Sequence, residues 1–398
     1  MEFESFIDNL KIAFVHRTPM PSEKANAFQT LEIARALHDE GIELEFYCPK
    51  AIKNCSNKKA VIEIEKFYGG RIPFKFKFSK PLNNENKFAN IIRSFYLLKK
   101  VLKNRNNYSL FYTRQPYFLI ALIIFKKAVI YEVHQWRFYK SRIKEKVLKF
   151  FILKAANRDN CKIFICISEE LRKRWINFGI KSDKTITAHD AVNLNNFTPV
   201  ISKEDARASL NLDEKSRIVS YVGSLYENRA ILDIIWVAGK LPDVLFRIIG
   251  GPTQNKEALK RIVNEKGLKN VEIIGRINRS QIPLNLFSSD VLLFTMNENT
   301  ITHDICSPMK VFEYLAAARA IVAPNLPSMR EILTAEFCFL YEFPNKYSLR
   351  DKIIEALSLV SLDSNYEKQK IGRIIVQEKF TWKKRTKLIL KKLMEIKN

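Results

Sequence analysis

The residues with the clearest chemical signature stand in one short segment, which holds Ser307, Pro308, Met309, Lys310 and Glu313. Serine followed by proline is typical of a helix start, with the serine as N-cap and the proline as the first helical residue. Lys310 would then lie beside free backbone N–H groups at the positive end of a helix. Glu313 adds a carboxylate further along the same helix. The segment therefore predicts a site for a phosphorylated ligand.

The elements that must position this segment follow an alternation of short apolar runs and helical patterns, which occurs in two blocks. Predicted strands are 11–15, 42–48, 108–112, 128–133 and 162–167 in the first block, then 218–222, 244–249, 271–274, 290–295 and 320–323. Strands that alternate with helices indicate a parallel sheet with helices on both faces. The pattern predicts an α/β chain of two doubly wound, Rossmann-like domains, joined through the polar, proline-bearing stretch 193–199.

Charge is the strongest feature of the composition, at +25 over 398 residues. Most of the excess lies in 87–105, 137–158 and 381–398, which also carry apolar residues at helical spacing. The apolar positions are Phe88, Ile91, Phe95 and Leu102, then Ile143, Val147, Phe150 and Phe151, then Trp382, Ile389, Leu393 and Ile396. Basic amphipathic helices are typical of an anionic membrane surface. The alternative is that each stripe packs on a sheet and the lysines form a solvated face; nucleic acid is disfavoured because no RNA-binding motif or zinc finger accompanies the charge.

Several classes of chemistry lack their motifs. No Asp-x-Asp pair, glycine-rich dinucleotide loop or phosphate loop occurs, so the sequence predicts no metal and no dinucleotide or ATP site of those types. The six cysteines form no Cys-x-x-Cys pair, which favours reduced, mostly buried thiols over a zinc or redox site. The start is acidic, and the longest uncharged apolar run, 115–125, is too short to span a bilayer. The expected location is the cytosol.

A series of motifs carries a family resemblance along nearly the whole chain. In order they are Pro21 to Asn26 with Gln29, Tyr131 to His134, Ile167-Ser168, His189 to Asn193, Tyr221 to Tyr226, Ile248 to Pro252, Val271 to Gly275, Ser307 to Ala316 and Phe380 to Trp382. With these motifs the chain resembles glycosyltransferase family 4, whose members have the GT-B fold. The resemblance implies a retaining transferase that moves a sugar from a nucleotide-diphosphate donor and needs no metal or other cofactor.

The resemblance also implies the organisation of the chain. Residues 1–195 would form an acceptor-binding domain and residues 196–378 a donor-binding domain, with the closing helix, 379–398, packed back on the first. Two such domains would face each other across a cleft and close on the substrate. The basic amphipathic helices, and not the resemblance, favour a membrane-proximal acceptor, which we expect to be a lipid-linked glycan or a polysaccharide precursor. They would place the protein peripherally on the inner face of the cell membrane.

Donor-binding roles follow residue by residue from the family motifs. Gly223 would let backbone amides approach the diphosphate, and Arg229 stands where the family usually has a diphosphate-neutralising lysine. Glu313 would accept hydrogen bonds from the donor ribose. The remaining implied donor-binding residues are Ser224, Gly251, Arg276, Ser307, Pro308, Met309 and Lys310.

Acceptor and catalytic roles fall mainly on the first domain. Glu132 and His134 would share one side of a strand, because side chains alternate along it, and the family histidine contacts the transferred sugar or the acceptor. His16 would contact the acceptor after the first strand. The implied acceptor-binding set is completed by Lys24, Ala25 and Asn26.

Three departures from the family pattern bear on this assignment. The first glutamate of the family's pair is replaced by Ile305, and Asp304 or His303 is the candidate to take its place, so Asp304 joins the predicted catalytic set. Ser224 stands for a common arginine, and Ala230 for a common glycine. Two alternatives stay open: another GT-B activity such as nucleotide-sugar epimerisation, and a non-catalytic GT-B-like scaffold.

Overall fold

A computed structural model describes residues 6–7, 10–52, 54–79, 87–362 and 367–397. The chain forms two compact units. The first comprises Met1–Asp190 and Trp382–Asn398, and the second comprises Ala191–Thr381. The chain therefore enters the second unit at Ala191 and returns to the first at Trp382, whereas the predicted boundaries were 196 and 379.

The first unit is built on a seven-stranded parallel sheet in the order β3-β2-β1-β4-β5-β6-β7. Its strands are β1 (Lys11–Val15), β2 (Glu43–Pro49), β3 (Lys75–Ser79), β4 (Leu110–Thr113), β5 (Val129–Val133), β6 (Cys161–Cys166) and β7 (Thr185–Thr187). All five residues of β5 are buried, as expected for a strand covered on both faces. Strands β3 and β7 were not predicted.

Helices cover this sheet on both sides. They are α1 (Ala25–Asp39), α2 (Asn57–Tyr68), α3 (Lys87–Lys103), α4 (Pro116–Ile124), α5 (Arg142–Ala156), α6 (Glu169–Asn177) and, at the chain end, α15 (Trp382–Lys397). Ser168 caps α6, since its side chain accepts a hydrogen bond from the Leu171 N–H at 3.2 Å.

The second unit contains a six-stranded parallel sheet in the order β10-β9-β8-β11-β12-β13. Its strands are β8 (Arg217–Val222), β9 (Val244–Ile249), β10 (Val271–Gly275), β11 (Val291–Leu293), β12 (Ala320–Pro324) and β13 (Phe339–Tyr341), the last not predicted. Two parallel α/β sheets confirm the predicted fold class.

The helices of the second unit follow the same crossover pattern. They are α7 (Lys203–Ser209), α8 (Ile231–Ala238), α9 (Thr253–Glu265), α10 (Ile282–Phe287), α11 (Met309–Ala316), α12 (Pro327–Arg330), α13 (Lys346–Leu362) and α14 (Glu367–Lys379). Helix α11 begins one residue later than predicted, with Pro308 and not Ser307 in the N-cap position. No helix in the described part of the chain is long and apolar enough to span a membrane.

Candidate active site

The ends of β8 and β9 meet closely in the second unit. Gly223 donates its N–H to the Ile249 carbonyl at 2.9 Å, and Gly250 then turns with a φ of +151°. A Cβ atom on Gly250 would lie 1.6 Å from the Gly223 carbonyl oxygen, so this position requires glycine. The backbone of Gly223 is thereby held at the carboxyl ends of the strands, where ligands of such folds bind.

Lys310, in the first turn of α11, points at this backbone. A Cβ on Gly223 would lie 2.4 Å from the Lys310 Nζ atom, which sits 3.9 Å from the centroid of the Tyr221 ring. The Nζ atom is buried and has no hydrogen-bond partner among the described residues. Burial, with the nearby charge of Arg229, holds the pKa of Lys310 well below its usual value. The end of β8 and the first turn of α11 therefore hold a buried amine that makes no hydrogen bond to the described residues.

Arg229 supplies a second cation near Lys310. Its Nε donates to Ser224 Oγ at 3.2 Å, and its carbonyl accepts from Thr295 Oγ1 at 2.6 Å. The next residue, Ala230, adopts the left-handed conformation with a φ of 51°. This explains the family preference for glycine at this position, because left-handed backbone strains any residue with a Cβ.

Glu313 lies one turn beyond Lys310 and pairs with Arg279 at 2.7 Å. Arg279 follows β10 and was not predicted as a site residue. Gly251 and Arg276 are neighbours, since a Cβ on Gly251 would lie 3.7 Å from Arg276 Cβ. The ends of β9 and β10 and the second turn of α11 thus carry one carboxylate and two arginines.

The remaining predicted residues of the second unit precede α11. Ser307 is buried, while Pro308, Met309 and Asp304 are half-buried. Asp304 belongs to the second unit, whereas Glu132 and His134 belong to the first. Its catalytic role stays a prediction.

The first unit brings Glu132 and His134 together at the end of β5, as the strand alternation predicts. His134 Nε2 lies 2.5 Å from Glu132 Oε1. Burial, with the charge of Arg114, lowers the pKa of His134 to about 4, so the imidazole is neutral at pH 7. Burial opposes ionisation of Glu132, but Arg385 and His134 outweigh it and hold its pKa well below the usual value.

Residues from distant parts of the sequence complete this network. Arg385, on α15, lies 2.9 Å from Glu132 Oε2 and donates from Nε to the His189 carbonyl at 2.8 Å. Gln29, on α1, donates to Glu132 Oε1 at 3.1 Å and to Asp190 Oδ1 at 2.6 Å.

Two further side chains belong to this network. Arg114 donates to Gln29 Oε1, and Tyr112 donates to Glu132 Oε2. Arg385 and Arg114 were not predicted as site residues, because nothing in their local sequence distinguishes them.

Glu132, His134 and Asp190 could by spacing hold a metal ion, since their ligand atoms lie within 4.8 Å of one another. The surrounding donors do not favour one. Both Glu132 oxygens already accept hydrogen bonds, and the positive charge of Arg385 lies against the same carboxylate. A divalent cation here would be repelled by the Arg385 charge, and Glu132 would have to give up these hydrogen bonds to bind it.

The predicted acceptor residues lie at β1 and the start of α1. His16 is buried, with Nδ1 3.3 Å from Thr30 Oγ1, and burial lowers its pKa to about 3. Asn26 Nδ2 donates to Thr18 Oγ1 at 3.3 Å. Lys24 and Ala25 are exposed. Acceptor contact by these residues stays a prediction.

Family models match both halves of the chain. The model described as "Glycosyltransferase Family 4" matches residues 27–196, and the one described as "Glycosyl transferases group 1" matches residues 202–373. A curated relative, a D-inositol 3-phosphate glycosyltransferase of Mycobacterium sp. (strain KMS), is 29% identical over 98 residues, or 22% of each protein. The chain thus matches about a fifth of this relative's length.

Solved structures are similar over nearly the whole chain. A glycosyltransferase of Rickettsia africae ESF-5 has a TM-score of 0.74 at 16% identity, with 98% of this chain and 99% of that chain covered. Anabaena Alr3699/HepE, solved with UDP-glucose, has a TM-score of 0.74 at 16% identity, with coverage of 97% and 100%. At this identity the likeness shows the fold, and the two family models supply the membership. The chain belongs to the glycosyltransferases of family 4, with the GT-B fold.

Proposed function

We propose that this chain is a retaining glycosyltransferase that takes a sugar from a nucleotide-diphosphate donor bound to the second unit. The observation that carries the proposal is the Lys310 amine, buried without a hydrogen-bond partner against the Gly223 backbone. An unpaired buried amine costs free energy in the unliganded protein, and a bound anion would offset that cost. A diphosphate fits because Arg229 and the N-terminal N–H groups of α11 lie in the same unit and favour negative charge.

The proposed reaction depends mainly on stabilisation of the negative charge on the leaving group. The bond from the sugar C1 to the diphosphate oxygen breaks, and negative charge develops on the leaving diphosphate. Lys310 and Arg229 would stabilise that charge, with Lys310 protonated when the anion is present. The acceptor hydroxyl oxygen forms the new bond to C1 on the same face, and its proton passes to the leaving phosphate oxygen. No step requires a metal or another cofactor.

Glu313 is the proposed partner of the donor ribose. Arg279 donates to one Glu313 oxygen at 2.7 Å, and the other would accept a hydrogen bond from a ribose hydroxyl. Gly251 and Arg276 are the proposed neighbours of the base. This set would orient the nucleotide so that its diphosphate reaches Lys310.

The first unit is the proposed acceptor domain. The neutral His134 uses Nε2 toward Glu132, which leaves Nδ1 as a hydrogen-bond acceptor for a sugar hydroxyl. The proposed acceptor is a lipid-linked glycan or polysaccharide precursor at the inner face of the cell membrane. The net charge of +25 supports an anionic membrane as partner.

The test is turnover in EDTA with UDP-, GDP-, ADP- and CDP-linked sugars, with slow transfer to water as the readout when no acceptor is supplied. Proton NMR at early times reports both the released nucleotide and the anomer of the sugar. We expect the wild type to consume the sugar donor of one nucleotide class, with retained configuration at the sugar. Lys260→Met, at an exposed side chain of α9, should do the same as a control, and Lys310→Met should not. An inverted product would overturn the retaining mechanism, and no turnover by folded protein would favour the scaffold alternative.

A further inference from the structure

Exposed apolar side chains in the first unit concentrate on three consecutive helices. Of the thirteen exposed large apolar side chains among this unit's described residues, ten lie on α3, α4 and α5 or their ends. They are Ile91, Phe95, Tyr96, Tyr117, Ile124, Phe125, Ile143, Val147, Phe150 and Phe151. Contiguous exposed apolar surface on a globular unit marks an interaction site.

These helices lie on the same face of the seven-stranded sheet. From β1 the chain moves to β2 and β3 in one direction, then crosses back to β4 and continues to β7 in the other. Because crossovers between parallel strands are right-handed, α1 and α2 cover one face and α3, α4 and α5 the opposite face. Helix α4 packs on α5, and the Arg105 guanidinium, just after α3, lies 5.3 Å from the Phe125 ring centroid after α4. The three helices therefore form one surface, here called the α3–α5 surface.

Helix α5 has two apolar faces, and the fold uses only one. Leu148 and Ile152, on the inner face, are only 6% and 0% exposed. On the outer face, Ile143 is 76% exposed and Phe150 is 50% exposed. Helix α3 repeats this arrangement, with buried Leu97 and Val101 opposite exposed Ile91 and Phe95. The side chain of Phe88, also in the predicted stripe, lies outside the described residues. The outer apolar face thus contributes nothing to the core.

The basic helix α15 provides an internal contrast. Its predicted stripe is core, because Trp382, Ile389 and Leu393 are 5%, 0% and 5% exposed. The physical reason is topological: α1 and α2 leave the sheet face over β5 and β6 uncovered, and α15 packs on α1 and β6. Of the three basic segments, α15 follows the core-packing interpretation, while α3 and α5 leave apolar positions exposed.

Charge identifies the partner of the α3–α5 surface. Exposed cations alternate with the apolar side chains along α5, namely Arg142, Lys144, Lys146 and Lys154. Helix α3 has five basic and no acidic residues. Apolar side chains among cations match the headgroup region of an anionic bilayer, where both contributions to binding apply.

We infer that the α3–α5 surface docks on an anionic lipid bilayer, with Phe150, Phe151 and Ile143 entering the headgroup region and the neighbouring lysines contacting lipid phosphate. This docking surface would bring the protein to the proposed membrane acceptor, so its biological role rests on the proposed function. Its test reads lipid binding and not sugar transfer, so either can fail alone.

The experiment is co-sedimentation of the full chain with phosphatidylcholine vesicles, with or without about 30% phosphatidylglycerol. We expect the wild type to bind the anionic vesicles at least about tenfold more tightly than the neutral ones, with the difference reduced by salt. Phe150→Ser combined with Phe151→Ser should weaken binding about tenfold or more. The matched control is Leu388→Ser, at a side chain 46% exposed on α15, which is even more basic than α5; this variant should bind like wild type.

A charge pair of variants keeps the test independent of the aromatic substitutions. Lys144→Gln with Lys146→Gln on α5 should weaken anionic binding more than Lys383→Gln with Lys387→Gln on α15, although each pair removes the same charge. Equal loss from both pairs, or equal loss from Leu388→Ser, would overturn the assignment of the surface. Wild type that binds no vesicles but forms a dimer, dissociated by Phe150→Ser with Phe151→Ser in light scattering, would replace the bilayer with a second copy of the chain.

Discussion

Arg385 on the last helix lies 2.9 Å from Glu132 at the end of β5, and both side chains are buried in the first unit. The pair joins the C-terminal segment to the strand that carries His134. Since Arg385 also donates to the carbonyls of Ala188 and His189, one guanidinium fixes two chain segments around the network. Helix α15 therefore contributes a positioning residue as well as core.

Arg385→Met should destabilise the protein by about 3–5 kcal/mol, because it leaves the buried Glu132 carboxylate without its closest cation. Arg385→Lys should cost less, since it keeps the charge but not the fork of hydrogen bonds. Urea unfolding measures both, with Lys383→Met, exposed on the same helix, as the control. A loss below about 1 kcal/mol for Arg385→Met would mean that other cations suffice.

Stability should fall as the pH drops below about 6.5, because burial keeps three histidines neutral in the folded state. The pKa of His16 is lowered to about 3, and those of His134 and His189 to about 4. Between these values and 6.5 the unfolded chain binds more protons than the folded one, so each histidine disfavours folding by up to about 2 kcal/mol at pH 5. Asp190 acts oppositely, since burial raises its pKa to about 6.

Urea unfolding at pH 7 and pH 5 tests this balance. The wild type should lose unfolding free energy at pH 5, and His16→Gln should lose less. A wild type equally stable at both pH values would contradict the burial of neutral histidines.

Ala230→Gly should raise the unfolding free energy by up to about 1 kcal/mol, because Ala230 holds a φ of 51° that strains a residue with a Cβ. The control is Ala238→Gly, at the buried last residue of helix α8, where loss of the packed methyl group should destabilise by about 1 kcal/mol or more. Thermal melts distinguish the two. Destabilisation by both substitutions would show that packing of the Ala230 methyl outweighs its backbone strain.

Lys310→Met should stabilise the unliganded protein, because methionine removes a buried amine that lacks a partner. The pKa of Lys310 is lowered by burial, so the folded state binds fewer protons than the unfolded state at alkaline pH. Nucleotide binding should then take up protons at alkaline pH, because the bound anion favours the charged form of an amine whose pKa burial has lowered. Calorimetry in buffers of different ionisation enthalpy measures this uptake, which should be absent in Lys310→Met and present in Lys260→Met.

The sequence predicted features whose causes are local. The apolar runs of β1 and β9 have the length of buried strands, and Gly223 follows β8 at the strand end where the family motif places it. Short strands such as β7 were missed because three residues carry too little pattern.

Contacts between distant segments could not be predicted. Arg385 is one of seven basic residues in its segment, and only the packing of α15 on α1 shows that it reaches Glu132. The partner of Glu313, Arg279, begins a short 3-10 helix after β10, in a segment that carries no family motif. The apolar stripes of α5 and α15 have the same helical period and both lie on basic helices. Their burial is opposite, because the order of the strands decides which sheet face a helix must cover.

The proposed function depends on Lys310, through which the second unit would bind the diphosphate of a nucleotide donor. Isothermal titration of UDP, GDP, ADP and CDP in EDTA, on wild type, Lys310→Met, Glu313→Ala and Lys260→Met, tests it most directly. We expect one nucleoside diphosphate to bind the wild type and Lys260→Met without metal, and to bind Lys310→Met and Glu313→Ala at least about tenfold more weakly. Binding that is unchanged in Lys310→Met, or absent for all four nucleotides in the wild type, would contradict it.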